Sequence, residues 1–506
     1  MDRRFRTCDL HQVFLLPPAL QDWLPENHLA RFIGEVMDEL DLSAICAEYG
    51  RRDNRGLSAY HPLLLTRLLL YGYCVGVTSS RQIEQATHED VAFRYLAADQ
   101  HPDHDTIANF RRQHLEAIAG LFVQALQLCQ KAGLVKLGNV AIDGTKIMAN
   151  ASTRRSVPYQ KLREREQYWR EIVDGLLAQA QKTDQEEDQR YGAGRSADSL
   201  PAELAQAQGR WEKIRQAKAA LEREAQEELA ALEKISPPQK RGRPHKTDPQ
   251  SPIADPQLRQ RTKKQMQRAR KRAASPSRQY NFVDPDSRVM KDSARKSFVQ
   301  AYNAQAAVDS HQQVIVAAEL TQEVNDSHQL IPMAQAVEQA AGKKAETITA
   351  DAGYWDTIAL RDPAVQGIEM LVAPDRQLRP ADQPAPRGVA DNEEGRQMRE
   401  RLATEAGRAK YGMRKTTVEP VFGQIKEARG IRRFRLRGLR LVSGEWKLIC
   451  ATHNLLKLYR HRHPPRKPKA TKRGPEKKGA AETRFCRHGC RTARLSLSTR
   501  LFAAAA

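Results

Sequence analysis

Two aspartates in the 506-residue chain follow short apolar runs and have a glycine within two positions. Asp143 follows Val-Ala-Ile, and Asp351 follows Ala-Glu-Thr-Ile-Thr-Ala. If the two runs are neighbouring parallel strands, both carboxylates emerge at one edge of the sheet, where ligands bind in open mixed sheets. Paired carboxylates repel each other and need a cation, and hard oxygen ligands favour Mg²⁺ or Mn²⁺. The pattern therefore predicts a site for divalent cations.

A third acid, Glu419, lies in the sequence TVEPVFGQIK. Pro420 is acceptable in the first turn of a helix, and an acid at a helix N-terminus is stabilised by the helix dipole. Lys426 follows two turns later on the same face, where it can contact a phosphate. Tyr411 and Arg414 precede the acid and add further donors. A two-metal phosphoryl-transfer site holds its ions roughly 3.5 to 4 Å apart, and a third carboxylate helps to complete it.

Each of these residues also has a structural interpretation. Asp-Gly is common in turns, a Glu near a helix start is a common cap, and Lys and Arg around it can be ordinary surface residues. Any one acid alone is more consistent with a structural role. The catalytic interpretation depends on all three occurring in order on suitable elements.

The elements that position these acids are predicted from apolar runs. Runs at 302–309 and 313–320, joined by Ser-His-Gln, indicate a β-hairpin. Further strands are expected at 345–350 and 368–373. A helix is expected from Ser327 to Ala341, capped by Asp326 or Ser327. With the run around Asp143 placed first, these elements predict an α/β domain with a mixed sheet.

Residues 1 to about 135 are predicted to be helical. A buried helix is expected at 61–73, with a proline near its start. Shorter helices are expected at 81–86, capped by Ser79 or Ser80, and at 106–115, capped by Asp105. The last of these carries three polar side chains that either contact DNA or form a solvated face on a helical bundle, namely Asn109, Arg111 and Arg112.

Two segments between the strands differ in composition. Residues 156–235 are rich in Glu, Gln, Lys, Arg and Ala, which predicts an antiparallel helical hairpin, broken around 192–194 and 200–201, rather than an intermolecular coiled coil. From 240 to 278, thirteen Lys and Arg against two acids predict an extended basic arm. Its Arg241-Gly-Arg243-Pro is either a minor-groove contact similar to an AT-hook or part of a plain basic linker.

The chain as a whole is strongly basic, with a formal net charge of +22. Nucleic acid is therefore the first expected partner, and an acidic membrane surface is the second. Association with a membrane needs an apolar span of about 20 residues or an amphipathic helix with a strongly apolar face, and the sequence contains no recognisable segment of either kind. With no secretory signal, we expect a cytoplasmic protein. Seven scattered cysteines predict reduced thiols, and Cys486 and Cys490 around His488 lack two further ligands for zinc.

In order along the chain, these motifs resemble a DDE transposase of a bacterial insertion sequence, with an RNase H-like catalytic domain. The resemblance covers most of residues 1–155 and 280–456. It rests on AIDGTK at 141–146, ADAGYW at 350–355, VEPVFGQIK at 418–426, YHP at 60–62 and DVAFRYL at 90–96.

The resemblance implies that Asp143, Asp351 and Glu419 form the acidic triad, and that Tyr411, Arg414 and Lys426 belong to the Tyr-Arg-Glu-Lys signature. Four residues separate Arg414 from Glu419 where the family has three, so either Lys415 takes the basic role or the helix start is offset. Two Mg²⁺ or Mn²⁺ ions are implied, one activating a water that attacks the phosphodiester and one stabilising the leaving 3′ oxygen. The freed 3′-hydroxyl would then attack target DNA, with no covalent intermediate between protein and DNA.

Basic residues near the C-terminus are expected to bind DNA phosphates with little sequence preference. Arg429, Arg432 and Arg433 begin a dense basic stretch, and residues 460–500 contain fourteen Lys and Arg against two acids. The expected function is therefore a transposase that acts on the terminal inverted repeats and on target DNA, as a nucleoid-associated homodimer on double-stranded DNA. A catalytically inactive DNA-binding regulator and a general nuclease are the alternatives.

The expected fold class is α/β, with four parts. A helical DNA-binding domain spans 1–135, and an RNase H-like mixed sheet flanked by helices combines 136–155 with 280–456. The helical hairpin insertion with its basic arm spans 156–279, and a disordered basic tail spans 457–506.

Overall fold

The computed structural model describes residues 19–49, 59–191, 202–235, 263, 266–271, 275–292, 296–375 and 393–464. The chain divides into two units, Met1–His463 and Pro464–Ala506, and the elements below belong to the first. The predicted DNA contacts Arg241 and Arg243, the Cys486–Cys490 pair and nearly all of the basic tail lie outside the described residues.

The N-terminal region is mostly helical. Its helices are α1 (Leu29–Val36), α2 (Ser43–Tyr49), α3 (Pro62–Val75), α4 (Ser80–Glu89), α5 (Val91–Leu96), α6 (His104–Gln113) and α7 (Leu115–Lys131). The buried helix predicted at 61–73 is confirmed as α3. It begins with Pro62 at its first turn and ends at Gly76, whose φ of 86° is the left-handed conformation that favours glycine. In the described part of the chain, no single helix is long and apolar enough to cross a membrane, and only α3 and α4 together, bent by 98°, meet the length and composition required.

The predicted cap of α6 was wrong by two residues. Asp103, not Asp105, is the N-cap, because its side chain accepts a hydrogen bond from the backbone of Thr106. Asp105 instead lies in the first turn, where an acid is favoured by the helix dipole.

The strands of the described residues form a six-stranded mixed sheet and a two-stranded one. The strands are β1 (Asn139–Met148), β2 (Ser156–Pro158), β3 (Gln279–Asn281), β4 (Arg288–Asp292), β5 (Ser297–Asp309), β6 (Ile315–Thr321), β7 (Thr347–Ala350) and β8 (Glu369–Val372). The large sheet has the order β4-β5-β1-β7-β8, with β6 also paired to β5. The predicted hairpin is confirmed as β5 and β6, and β1 lies between antiparallel β5 and parallel β7, as expected for the strands that carry the two aspartates.

Strand β1 is longer than its apolar run, so Asp143 lies inside the strand and not at its end. The parallel pairing with β7 stops at Ile142 opposite Ala350, whereas the pairing with β5 continues to Met148 opposite Ala301. The 13-residue β5 supplies backbone partners beyond the point where β7 ends. Asp143 and Asp351 are thus each the next residue after the last parallel pair, and they still emerge together.

The helical insertion is confirmed as two long helices, α8 (Tyr159–Tyr191) and α9 (Ala202–Ile235), that rise from the β2–β3 pair. They run antiparallel, because Glu166 near the start of α8 binds Lys218 at 2.7 Å, while Val173 further along packs against Leu204 near the start of α9. The breaks predicted at 192–194 and 200–201 lie outside the described residues.

Among the described residues, further helices after β6 are α10 (Leu330–Ala341), α11 (Glu393–Ala403), α12 (Glu405–Gly423) and α13 (Leu439–Arg462). Helices α10 and α13 pack against β6, and α12 packs against β1. Helix α10 begins three residues later than predicted, with Gln329 and not Asp326 or Ser327 as its N-cap. Asp326 is instead occupied by hydrogen bonds from β5.

Candidate active site

The two predicted aspartates meet at the end of the parallel strands. Asp143 has a 22% exposed side chain, and its Oδ1 accepts a hydrogen bond from the backbone of Gly144 at 2.8 Å. Asp351 begins a short 3-10 turn, where its Oδ1 accepts a hydrogen bond from the backbone of Gly353 at 2.9 Å. Each carboxylate is therefore fixed by a hydrogen bond from a nearby backbone N–H, within strand β1 for Asp143 and in a 3-10 turn for Asp351.

The environment of Asp143 raises the pKa of its carboxyl group to about 6. Burial is the largest cause, and the charge of Asp351 is the second. Arg414 and the Gly144 hydrogen bond partly oppose the rise. An acid with this pKa, beside another acid in a partly buried position, is the arrangement expected where a cation binds.

Two of the predicted signature residues come from α12. Arg414 donates to Asp143 Oδ2 at 3.4 Å, and its guanidinium lies 5.9 Å from the centre of the Tyr411 ring, within cation–π range. Lys415 is exposed. Arg414, rather than Lys415, is thus the basic residue that faces the acids.

The Lys426 side chain is not free to contact a phosphate, contrary to what its helical spacing from Glu419 had suggested. Its Nζ donates to Thr145 Oγ1 and to the Lys146 carbonyl oxygen, both on β1, and burial lowers the pKa of its ammonium group. The chain at Gln424–Ala428 forms a π-helical turn, so the face of α12 does not continue unchanged to Lys426. Lys426 anchors the helix end to β1.

Glu419 does not lie at a helix N-terminus, so the predicted stabilisation by the helix dipole was wrong. Helix α12 begins fourteen residues earlier, where Thr404 caps Gly407, and Pro420 lies inside the helix. The Glu419 side chain is exposed. The helix starts early because the Thr404 cap and the stretch from Glu405 onwards already satisfy the requirements of a first turn.

The donor atoms at this site fit a hard divalent cation in part. Asp143 and Asp351 supply carboxylate oxygens, the ligands that Mg²⁺ and Mn²⁺ prefer, and they lie close enough for the charge of Asp351 to raise the pKa of Asp143. Among the described residues, no three His, Cys, Asp or Glu side chains are arranged to hold a metal ion. The pair fits such a cation, whereas the predicted triad is not assembled.

A further acid that the sequence interpretation treated only as a helix cap, Asp326, belongs to the same site. Its Oδ1 accepts hydrogen bonds from Asn303 Nδ2 at 2.6 Å and Gln305 Nε2 at 2.7 Å, and lies 3.8 Å from Lys146 Nζ. Gln305 in turn accepts a hydrogen bond from Tyr354, in the turn after Asp351. One signal was available in the sequence: Asn303 and Gln305 are polar residues at alternate positions within the mostly apolar run at 301–308.

Gly144 is required by these side chains. A Cβ atom at this position would lie 2.3 Å from Gln305 Nε2, 2.7 Å from Asp326 Oδ1 and 2.9 Å from Asn303 Oδ1. Its φ does not lie in the left-handed region. The glycine therefore makes room for a polar cluster and does not form a turn.

Two protein-family models match the chain, one in its N-terminal part and one in its C-terminal part. A family described as a transposase domain (DUF772) matches residues 18–113, and a transposase DDE domain matches residues 387–459. The second match contains Tyr411, Arg414, Glu419 and Lys426. The chain thus contains a transposase domain and a transposase DDE domain, and the two matches support a DDE transposase of an insertion sequence. No curated protein and no solved structure matches it.

Two arginines predicted to contact DNA are buried in this transposase. Arg111 is 5% exposed and donates to the Tyr73 hydroxyl and the Thr78 carbonyl oxygen. Arg429 is 8% exposed and donates to Thr452 Oγ1 at 2.9 Å. Both predictions were wrong, because these guanidinium groups hold helices together and cannot reach a phosphate in this conformation.

The other predicted DNA contacts in the described part of the transposase are accessible. Asn109 and Arg112 are exposed on α6, where the Arg112 guanidinium donates a hydrogen bond to Asn109 Oδ1 at 2.8 Å. Arg432 is half-buried and paired with Glu427, and Arg433 is exposed beside Met148 at the end of β1. Arg433 is thus an exposed predicted phosphate contact beside the strand that carries Asp143.

Proposed function

We propose that this transposase binds the ends of its insertion sequence and catalyses metal-dependent cleavage and transfer of DNA strands at Asp143 and Asp351. The observation that carries the proposal is the pair of acids at the end of parallel β1 and β7, with the pKa of Asp143 raised by burial and by Asp351. Such a pair requires a cation, and in this family divalent cations generally fill that need.

The sheet supports an RNase H-like catalytic domain formed by 136–155 and 280–456. In the order β6-β5-β1-β7-β8, the first three strands are antiparallel neighbours and the last three are parallel neighbours. In this arrangement Asp143 lies on the central strand, and Asp351 directly follows the parallel strand beside it.

The cations would bind at Asp143 and Asp351, with Glu419 as the proposed third ligand, and would supply an activated water and charge stabilisation at the leaving oxygen. Arg414 balances the charge of Asp143 and has a buried Nε without a hydrogen-bond partner among the described residues, so it can donate to a phosphate oxygen. Tyr411 keeps the guanidinium in place through their ring contact.

DNA binding is proposed for the exposed basic residues. Asn109, Arg112, Arg432 and Arg433 are the contacts offered by the described residues, and Arg241 and Arg243 are proposed to contribute from outside them. Since two DNA ends must meet for strand transfer, we expect a homodimer on DNA. Sedimentation of the complex with end DNA tests this, and a particle with a single protomer would contradict it.

The experiment that tests the function is a nicking assay on labelled DNA that carries the element's terminal repeat, with Mg²⁺. We expect the parent protein to nick at the repeat boundary and Asp143→Asn to bind the same DNA without nicking it. Asp174→Asn, which removes an exposed acid from α8, serves as the matched control and should cleave normally. Equal cleavage of DNA without the repeat would support a general nuclease instead.

The position of Glu419 favours a second candidate, a DNA-binding regulator without catalytic activity. The acid is exposed and is not assembled with the Asp143–Asp351 pair into a three-acid metal group. Specific binding of repeat DNA by the parent protein, with no nicking in Mg²⁺ or Mn²⁺, would establish this candidate and exclude the transposition chemistry.

A further inference from the structure

The carboxylate of Asp326 is held rigidly in the acidic site. Its Oδ1 accepts hydrogen bonds from two amides of β5, Asn303 and Gln305, and both side chains are fully buried. Through Gln305, Asp326 is also linked to Tyr354, a fully buried residue of the turn that begins at Asp351. An acid fixed by two donors can impose a position on a more flexible neighbour.

That neighbour is Lys146, whose Nζ lies 3.8 Å from Asp326 Oδ1. The ammonium nitrogen is buried and makes no hydrogen bond with the described residues. Asp326 and Asp143 are the acids that most favour its charged form, followed by Asp351. Within the described residues, this cation is therefore held by ionic attraction and not by a hydrogen bond, and the lysine stem has the freedom to reach more than one acid.

A second buried polar group, the amide oxygen of Asn303, lies on the strand opposite Lys146. Asn303, which lies opposite Lys146 in the β1–β5 register, has an Oδ1 atom without a hydrogen-bond partner among the described residues, although the side chain is fully buried. This oxygen lies 2.9 Å from the position that a Cβ on Gly144 would take. An ammonium and an amide oxygen without hydrogen-bond partners among the described residues thus lie on opposite residues of β1 and β5, near Asp326, and a bound polar species would satisfy both.

We propose that Asp326 is a positioning residue of the acidic site, which holds the ammonium of Lys146 beside the Asp143–Asp351 pair and prevents it from occupying the place of a divalent cation. The proposal rests on the proposed function. A lysine released from Asp326 would pair with the two catalytic acids, since opposite charges attract strongly where water is scarce. A divalent cation would then have to displace it.

The test is Mn²⁺ binding to the full-length protein without DNA, measured by titration calorimetry or by the electron paramagnetic resonance signal of free Mn²⁺. Asp326→Asn should weaken Mn²⁺ binding about tenfold, because it removes one nearby charge and frees Lys146. Lys146→Gln should tighten binding about threefold, and the double variant should return to within about threefold of the parent. Glu338→Gln, which removes an exposed acid on α10, is the control and should match the parent.

Several outcomes would overturn the inference. A role in folding alone predicts that the double variant binds Mn²⁺ as weakly as Asp326→Asn, and unchanged affinity in Asp326→Asn would also contradict the proposal. If Asp326→Asn does not fold, Lys146→Gln decides the question, since unchanged affinity there excludes competition by the lysine. A parent protein that neither binds Mn²⁺ nor nicks DNA overturns the proposed function as well, whereas a parent that does both leaves that function intact whatever the variants show.

Discussion

The Asp143 carboxyl group is costly to ionise in the metal-free protein, because its pKa rises from 3.8 to about 6 on folding. A raised carboxyl pKa stabilises the fold fully below the unfolded value and loses that stabilisation as the pH rises through about 6. Asp143→Asn is therefore expected to stabilise the metal-free protein at pH 8 by up to about 3 kcal/mol, with no gain near pH 4. Urea unfolding at the two pH values measures this, and an equal effect at both would contradict it.

Arg111 and Arg433 should respond oppositely to substitution, although both were predicted to contact DNA. Arg111→Met removes a buried guanidinium from Tyr73 and Thr78 and should lower the free energy of unfolding by about 3 kcal/mol. Arg433→Ala, at an exposed position, should leave the melting temperature unchanged and reduce the salt dependence of DNA binding by about one charge. Thermal unfolding and DNA titration at several salt concentrations separate the two, and a loss of DNA affinity confined to Arg111→Met would reverse the assignment.

At the residue scale, sequence spacing found Arg414, which contacts Asp143 on β1, and Tyr411, whose ring lies beside the Arg414 guanidinium. It misplaced Lys426, since the π-helical turn at Gln424–Ala428 is set by packing and has no simple sequence signal. It also could not separate Arg111 from Arg112, because the sequence does not show which of two adjacent arginines is buried. The partners that bury Arg111 come from α3 and from the loop before α4, more than 30 residues away.

Among the elements, the junction of β1 and β5 depends on Gly144. Gly144→Ala would push a methyl group against three buried polar atoms and should cost about 1 to 3 kcal/mol of stability. Gly412→Ala, on α12 with no atom within 4 Å of the new Cβ, is the matched control and should stabilise the protein by up to about 1 kcal/mol. Chemical denaturation measures both changes, and a neutral Gly144→Ala would show that the cluster can move aside.

The sequence order of the main strands and the β5–β6 hairpin were predictable from apolar runs, but the strand lengths were not. The polar part of β1 after Asp143 is a strand only because β5 extends far enough to pair with it. The start of α12 was missed for the converse reason, since the stretch from Glu405 to Lys415 lacks the apolar periodicity that marks a helix. Local sequence therefore located the acids, and tertiary pairing decided where their elements begin and end.

On the scale of the whole molecule, the helical hairpin has small apolar clusters of its own. Val173, Leu204 and Ala207 form one cluster, and Val157, Leu162, Ile214, Ala217 and Leu221 form another, both separate from the main core. Leu204→Ala should therefore speed hydrogen exchange only in α8 and α9. Leu68→Ala, in the main core, should lower global stability by about 2 to 5 kcal/mol. Exchange measured by mass spectrometry distinguishes the cases, and global destabilisation by Leu204→Ala would contradict separate cores.

We propose that Asp143 and Asp351 act as one catalytic unit on DNA. The most direct measurement is single-turnover nicking of terminal-repeat DNA by Asp143→Asn, Asp351→Asn and the double variant, with DNA binding measured in parallel. Residues that act as a unit lose function non-additively, so we expect each single variant to lose at least about a thousandfold in rate and the double variant to be no worse. A single variant that nicks at nearly the parent rate while binding DNA normally would contradict the account.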